Sequence, residues 1–257
     1  MTNPKLKLLN MLDQGQPVMS TFMAMRGMRL AQIVANTGLD AVIIDREHGY
    51  VGDTDMHEMV SAVVAAGASP IVRIRGPTGP LIKRALDSGA HGLLVPMIDT
   101  AEQARSVVSM AKFPPQGVRG AGSAFAYLEH GLATTSEYVA KANQSLVTMI
   151  QIESRQGLEN VEEICQVDGV DLLFIGPTDL ALSLLGYTPA KGTEPEFLEA
   201  MNKIVETAKR YGKKVGLFVT DGEAARKARE RFDFVALGTD VRALQSFYTQ
   251  ALKQARS

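Results

Sequence analysis

A single cysteine, Cys165, occurs in 257 residues. No intrachain disulfide can form, which excludes the small disulfide-held scaffolds of secreted proteins and sets the expectation of a reducing, cytoplasmic location. Cys165 has no basic neighbour in sequence and reads as a buried structural thiol rather than a nucleophile. Long apolar runs are also missing: none approaches the roughly 20 residues that a membrane-spanning helix needs. The stretch Met1 to Leu12 mixes lysine with leucine, and Asp13 and Gln14 cut it off. It lacks the apolar core and small-residue cleavage site of a secretion signal and reads as a short amphipathic helix. Charge of one sign is not in excess. The net charge of −1 gives no electrostatic case for binding nucleic acid or an anionic membrane. No low-complexity tract and no shift in composition marks a linker, so one domain is expected over residues 1–257.

What is present is an alternation. Hydrophobic residues make up 46% of the chain and charged residues 21%, an ordinary globular balance. Short apolar runs alternate with amphipathic segments, the pattern of parallel strands joined by helices. Strands are expected at Val18–Phe22, Ala41–Ile44, Pro70–Arg75, Gly92–Pro96, from Leu146, Val170–Ile175, Val215–Val219 and Phe234–Gly238. Helices are expected at Arg29–Ala35, His57–Ala66, Leu81–Asp87, Thr100–Ala111, Glu137–Ala142, Thr178–Leu184, Phe197–Tyr211, Glu223–Arg231 and Val241–Lys253. Eight strand–helix pairs in a chain close to the ~250 residues of a (β/α)8 barrel predict that fold, a TIM barrel. Residues 112–136 interrupt the rhythm as a long loop, and long loops tend to be functional.

The stretch Leu146-Val147-Thr148-Met149-Ile150-Gln151-Ile152-Glu153 carries the chemistry best. Its first part has the composition of a strand buried on both faces. Gln151 and Glu153, two residues apart, share one face of that strand. The next buried run, Val170 to Ile175, gives way to Gly176-Pro177-Thr178-Asp179. In a parallel barrel both carboxylates then reach the C-terminal face, where barrel enzymes do their chemistry. Asp45, Glu47 and His48 follow the second strand, and Arg73 and Arg75 end the third. A base, cations, an amide and acids therefore converge, although each residue taken alone also has a plain structural role: Arg73 as an ion-pair partner, Glu153 as a cap, Asp179 as a first-turn acid.

Two carboxylate ligands, Glu153 and Asp179, suit a hard divalent cation such as Mg²⁺ or Mn²⁺, whose other positions stay open to water or a chelating 2-oxo acid. Such a cation stabilises an enolate as a Lewis acid. Gly176-Pro177-Thr178 opens a helix whose free N–H groups could hold the substrate carboxylate.

The motifs Ile44-Asp45-Arg46-Glu47-His48-Gly49, Val72-Arg73, Leu94-Val95-Pro96-Met97, Gly117-Val118-Arg119-Gly120, Gln151-Ile152-Glu153 and Gly176-Pro177-Thr178-Asp179-Leu180 run in order across most of the chain. Together they resemble the metal-dependent (class II) pyruvate aldolases of the phosphoenolpyruvate/pyruvate barrel superfamily, which act on 4-hydroxy-2-oxoheptanedioate or 2-dehydro-3-deoxy-sugar acids. The resemblance implies reversible cleavage of a 4-hydroxy-2-oxo acid to pyruvate and an aldehyde, with Mg²⁺, Mn²⁺ or Co²⁺. It implies that Glu153 and Asp179 are metal ligands and that Gln151 lies beside the oxo acid. Arg73 would hold the keto oxygen and the enolate charge. His48 would be the base, Asp87 its carboxylate partner, and Asp45 a supporting acid near the metal's waters. Phe22 would line the pyruvate pocket, and Gly176 and Thr178 would bind its carboxylate through backbone N–H groups. It also implies a hexamer of three dimers in which the last helix is exchanged; that helix carries Val241, Leu244, Phe247, Tyr248, Ala251 and Leu252 as an apolar stripe.

Arg46 departs from the family, where a small residue is common; an exposed rim position is expected for it, with reach toward an anionic tail on the aldehyde half as the alternative. The scaffold is also similar to macrophomate synthase, so an oxaloacetate decarboxylase or other enolate lyase is the nearest alternative. A sugar-phosphate isomerase fits poorly. The loops after strands seven and eight, Val219-Thr220-Asp221-Gly222 and Gly238-Thr239-Asp240, each carry an acid that would repel phosphate. A non-catalytic ligand-binding barrel is the remaining alternative. A lysine Schiff base is not expected, because none of the lysines falls at the C-terminal end of an assigned strand.

Overall fold

A computed structural model describes residues 3–190 and 192–257. Eight parallel strands close into one barrel: β1 (Val18–Met23), β2 (Ala41–Asp45), β3 (Ser69–Arg73), β4 (Gly92–Val95), β5 (Val147–Ile152), β6 (Leu172–Ile175), β7 (Lys214–Val219) and β8 (Phe234–Thr239). The pairing of β1 with β8 completes the circle. This is the (β/α)8 architecture that the alternation predicts. The strands are buried on both faces, which explains their unbroken apolar runs.

Side chains alternate between two cores. Ile43, Ile71, Leu94, Met149, Leu172, Phe174 and Phe234 fill the barrel interior. Val42, Ile44, Val72, Leu93, Ile150 and Leu173 face the surrounding helices. The N-terminal amphipathic helix, Lys7–Asp13, is more than a surface element. It plugs the bottom of the barrel, with Leu8 and Leu12 joining the interior cluster and the Leu8 N–H donating to Ser69 Oγ at 2.9 Å. Burying each leucine contributes roughly 2 kcal/mol. The opposite, C-terminal mouth is left for ligands.

Among the boundaries that differ from expectation, three have clear local reasons. β3 stops at Arg73, because Ile74, Arg75 and Gly76 already turn away. The helix after β2 starts earlier, at Asp53, where Asp55 accepts the Gly52 N–H at 3.1 Å and supplies the N-terminal acid. The 112–136 segment contains a short helix, Ala126–Glu129, and the next helix begins at Thr135 with Thr134 as its cap. Cys165 is buried as expected, and burial pushes its thiol up to about 11.

The last helix, Asp240–Ala255, does not lie along its own barrel. Asp240 is its one buried residue, held by N–H bonds from Ala24 and Met25 at 3.0 Å each. Leu244, Phe247, Tyr248 and Leu252 are 45–65% exposed. An apolar stripe of that size left in water marks an interaction face.

Candidate active site

The β2–β3 register pairs Asp45 with Arg73, and their side chains meet above it. Arg73 Nε donates to Asp45 Oδ1 at 2.9 Å and Nη2 to Oδ2 at 2.6 Å, a bidentate pair. Its third nitrogen lies 3.3 Å from Glu47 Oε2, and the guanidinium sits 4.6 Å from the centre of the Phe22 ring. Asp45 Oδ1 also accepts the N–H groups of Glu47 (3.0 Å) and His48 (3.3 Å), which folds the strand end into a turn. Gly49 closes that turn: a Cβ there would stand 2.2 Å from the Asp45 carbonyl oxygen. His48 is thereby held at the mouth, its side chain 67% exposed and its Nε2 3.8 Å from Glu47.

Across the barrel, Gln151 near the end of β5 and Glu153 just past it point the same way, as their spacing predicts, and are buried. Glu153 Oε1 accepts the Met97 N–H at 2.8 Å, and Oε2 accepts the Gln151 amide N–H. Burial pushes the Glu153 carboxyl up to about 7; the Met97 N–H opposes this, and the nearby Glu47 and Asp179 charges add to it. Burial also raises Glu47 above the usual carboxylate range, despite Arg73 beside it. Asp179 stands in the first turn of the helix Pro177–Leu185.

One cavity of about 390 Å³ joins these groups. It is lined by Phe22, Asp45, His48, Arg73, Gln151, Glu153, Gly176, Thr178 and Asp179, together with Phe174, Pro177, Phe218 and Thr239. Of the strand-end polar groups read from the sequence, Glu47 lies beside Arg73 without lining the cavity and Arg75 turns away to donate to the Arg46 carbonyl; Asp87 is also absent. Within one chain Asp87 does not meet His48. It ends an outer helix, Gly79–Asp87, and accepts an N–H from Arg119 at 2.9 Å. The Arg119 side chain is fully buried from solvent, with its guanidinium against the Phe113 and Tyr138 rings. A buried cation with one carboxylate partner captures that carboxylate firmly.

Two further expectations change. Arg46 is not on the rim. It is 5% exposed and forms an ion pair with Asp53, because alternation along the strand end sends it into the helix layer while Asp45 faces the mouth. The Gly176 N–H is not free for a substrate, since it donates to the Ile152 carbonyl at 3.4 Å. Pro177 has none to give, so Thr178 and Asp179 carry the open first-turn N–H groups. Gly176 matters through its missing side chain, as a Cβ there would stand 2.3 Å from Glu153 Oε2. Sequence reasoning gave no role to Glu47, although its place beside His48 was the available signal. Phe174 and Phe218 end apolar runs and read only as core.

Could these residues hold a cation? No group of three or more His, Cys, Asp or Glu side chains is arranged for one among the described residues. A site here would rest on Glu153 and Asp179, with other oxygens completing it. The surroundings fit. Gln151 Oε1 is buried without a partner beside Glu153. Besides burial, the Glu47 and Asp179 charges push the Glu153 carboxyl up, and a positive ion beside it would offset that repulsion.

A family model described as HpcH/HpaI aldolase/citrate lyase matches residues 19–246. This chain belongs to that family. A hydroxypyruvate/pyruvate aldolase of Rhizorhabdus wittichii is 36% identical over 247 residues, covering 95% of this chain and 96% of the relative. A 2-keto-3-deoxy-L-rhamnonate aldolase of Klebsiella pneumoniae is 37% identical over 242 residues, 94% of this chain and 88% of the relative. The crystal structure of a HpcH/HpaI aldolase/citrate lyase family protein from Burkholderia cenocepacia superposes over the whole of both chains, with a TM-score of 0.90 at 32% identity.

Proposed function

We propose that this chain is a carbon–carbon lyase that reversibly cleaves a 4-hydroxy-2-oxo acid to pyruvate and an aldehyde. The observation that carries the reading is the single cavity in which the half-buried Arg73 cation faces the Gln151–Glu153 pair and the first turn of Pro177–Leu185. The aldolase relatives support it. The substrate carboxylate docks on the N–H groups of that first turn, where the helix end favours an anion. Arg73 points a donor at the 2-oxo oxygen. In cleavage His48 takes the proton of the C4 hydroxyl. The C3–C4 bond then breaks, the aldehyde leaves, and its electron pair passes through C3 and C2 onto the 2-oxo oxygen as an enolate. Arg73 stabilises the charge on that oxygen. Protonation at C3 completes pyruvate. Asp45 and Glu47 hold Arg73 in place, and Phe22 packs against its face. A Mg²⁺, Mn²⁺ or Co²⁺ ion held by Glu153 and Asp179 would supply Lewis-acid stabilisation of the same developing charge.

Product analysis tests this directly. A panel of 4-hydroxy-2-oxo acids is expected to yield equal amounts of pyruvate and aldehyde, with the yield abolished by a chelator. Release of CO₂ from oxaloacetate without aldehyde from any member of the panel would assign the decarboxylase reading instead.

We further place the protein in the cytoplasm, in keeping with its lone buried cysteine, and in a hexamer of three dimers. No helix among the described residues is long and apolar enough to cross a membrane. The uncovered stripe on Asp240–Ala255 supports exchange of that helix with a neighbour. Light scattering at micromolar concentration is expected to give six chains, and a monomer would contradict the assembly.

A further inference from the structure

Met97 is the only non-glycine residue with positive φ among the described residues, at 53°. A left-handed backbone is unfavourable for an ordinary residue, so something must hold it there. Packing of its own side chain does not, since Met97 is 49% exposed. Its surroundings do. Pro96 and Ile98 on either side are buried. The Asp99 carbonyl accepts Asn160 Nδ2 at 2.8 Å, its side chain accepts Ser154 Oγ–H, and its N–H donates to Gln103 Oε1 at 2.8 Å. The loop after β4 is thus tied to the loop after β5, and the conformation is over-determined. The result is that the Met97 N–H meets Glu153 Oε1 at 2.8 Å.

We infer that Met97 is a positioning residue: its left-handed backbone aims an N–H that fixes Glu153 Oε1 while the Gln151 amide holds Oε2, so that the carboxylate is oriented in the cavity for a divalent cation. This rests on the metal reading given above. Without the Met97 N–H, the Gln151 amide alone would hold the Glu153 carboxylate, Oε1 could swing away, and a cation with only two carboxylate ligands would lose much of its hold. Ligand orientation of this kind typically changes metal affinity 10–100-fold. The side chain at 97 should therefore matter little and the backbone a great deal.

Mn²⁺ binding followed by electron paramagnetic resonance separates the possibilities, with circular dichroism as the check on folding. Met97→Gly keeps the N–H and the positive φ and is expected to bind Mn²⁺ within about twofold of the natural protein. Replacing Met97 by its α-hydroxy acid exchanges only the N–H for an ester oxygen and is expected to raise the Mn²⁺ dissociation constant at least about tenfold. Met97→Val, β-branched and ill-suited to positive φ, is expected to weaken binding in the same direction. Unchanged affinity in the ester protein would overturn the inference alone, leaving the left-handed residue as a plain turn. A natural protein that binds no Mn²⁺ would overturn the metal reading and this inference with it.

Discussion

Arg73→Ala stops two reactions at once, the cleavage of a 4-hydroxy-2-oxo acid and the exchange of pyruvate methyl protons with solvent. Both pass through negative charge on the 2-oxo oxygen, and Arg73 is the one cation lining the cavity among the described residues. Loss of a single such donor typically costs 10²–10³ in rate, and here the donor is also charged, so a fall of at least about 10³ is expected. His48→Ala is expected to differ. Cleavage should fall by about 10²–10⁴, the usual worth of a general base, while exchange falls much less because it needs no C4 proton transfer. Proton NMR of the methyl signal in D₂O reads exchange, and a pyruvate-coupled assay reads cleavage. Removing Arg73 leaves Asp45 and Glu47 facing each other unpaired, so Arg73→Lys serves as the folded control: it keeps the charge but cannot restore the two-pronged grip on Asp45. Exchange at the natural rate in Arg73→Ala would remove Arg73 from the enolate.

Glu153→Gln and Asp179→Asn are each expected to abolish activity while leaving the fold intact, since neither creates a cavity. Chelation should do the same to the natural protein, with Mg²⁺, Mn²⁺ or Co²⁺ restoring it. The pH dependence follows from the environment of Glu153. Without a cation, burial holds its carboxyl at about 7, above the ordinary carboxylate value. The group is therefore protonated below about pH 7 and must ionise to hold a cation. Binding releases a proton there, and affinity falls by about tenfold for each unit that the pH drops below 7. Above pH 7 this dependence flattens. Calorimetry in buffers of different ionisation enthalpy would measure the released proton. Full activity after exhaustive chelation would contradict the assignment.

The strands were legible because a strand buried on both faces leaves an unbroken apolar run, and the ends of such runs say which polar residues reach the mouth. Gln151 and Glu153 could be placed on one face from spacing alone, and the structure brings them within hydrogen-bonding distance. Other features depend on contacts remote in sequence. Asp87 is drawn to Arg119, 32 positions away, and nothing local announces that partner. Arg46 has the composition of a rim residue, but the parity of its position sends it inward. The amphipathic N-terminal helix looks the same whether it lies on a surface or plugs a barrel. For the last helix the stripe was visible, and only the fold shows that its own barrel leaves the stripe uncovered.

The central claim is that pyruvate is activated by a cation and Arg73, not through an imine on lysine. No lysine lines the cavity among the described residues, and Lys191 lies outside them. The direct measurement is mass spectrometry of the intact protein after incubation with pyruvate and borohydride. The predicted result is an unmodified chain that keeps its activity. A pyruvyl adduct on any lysine would contradict the mechanism and the roles of Glu153 and Asp179 together.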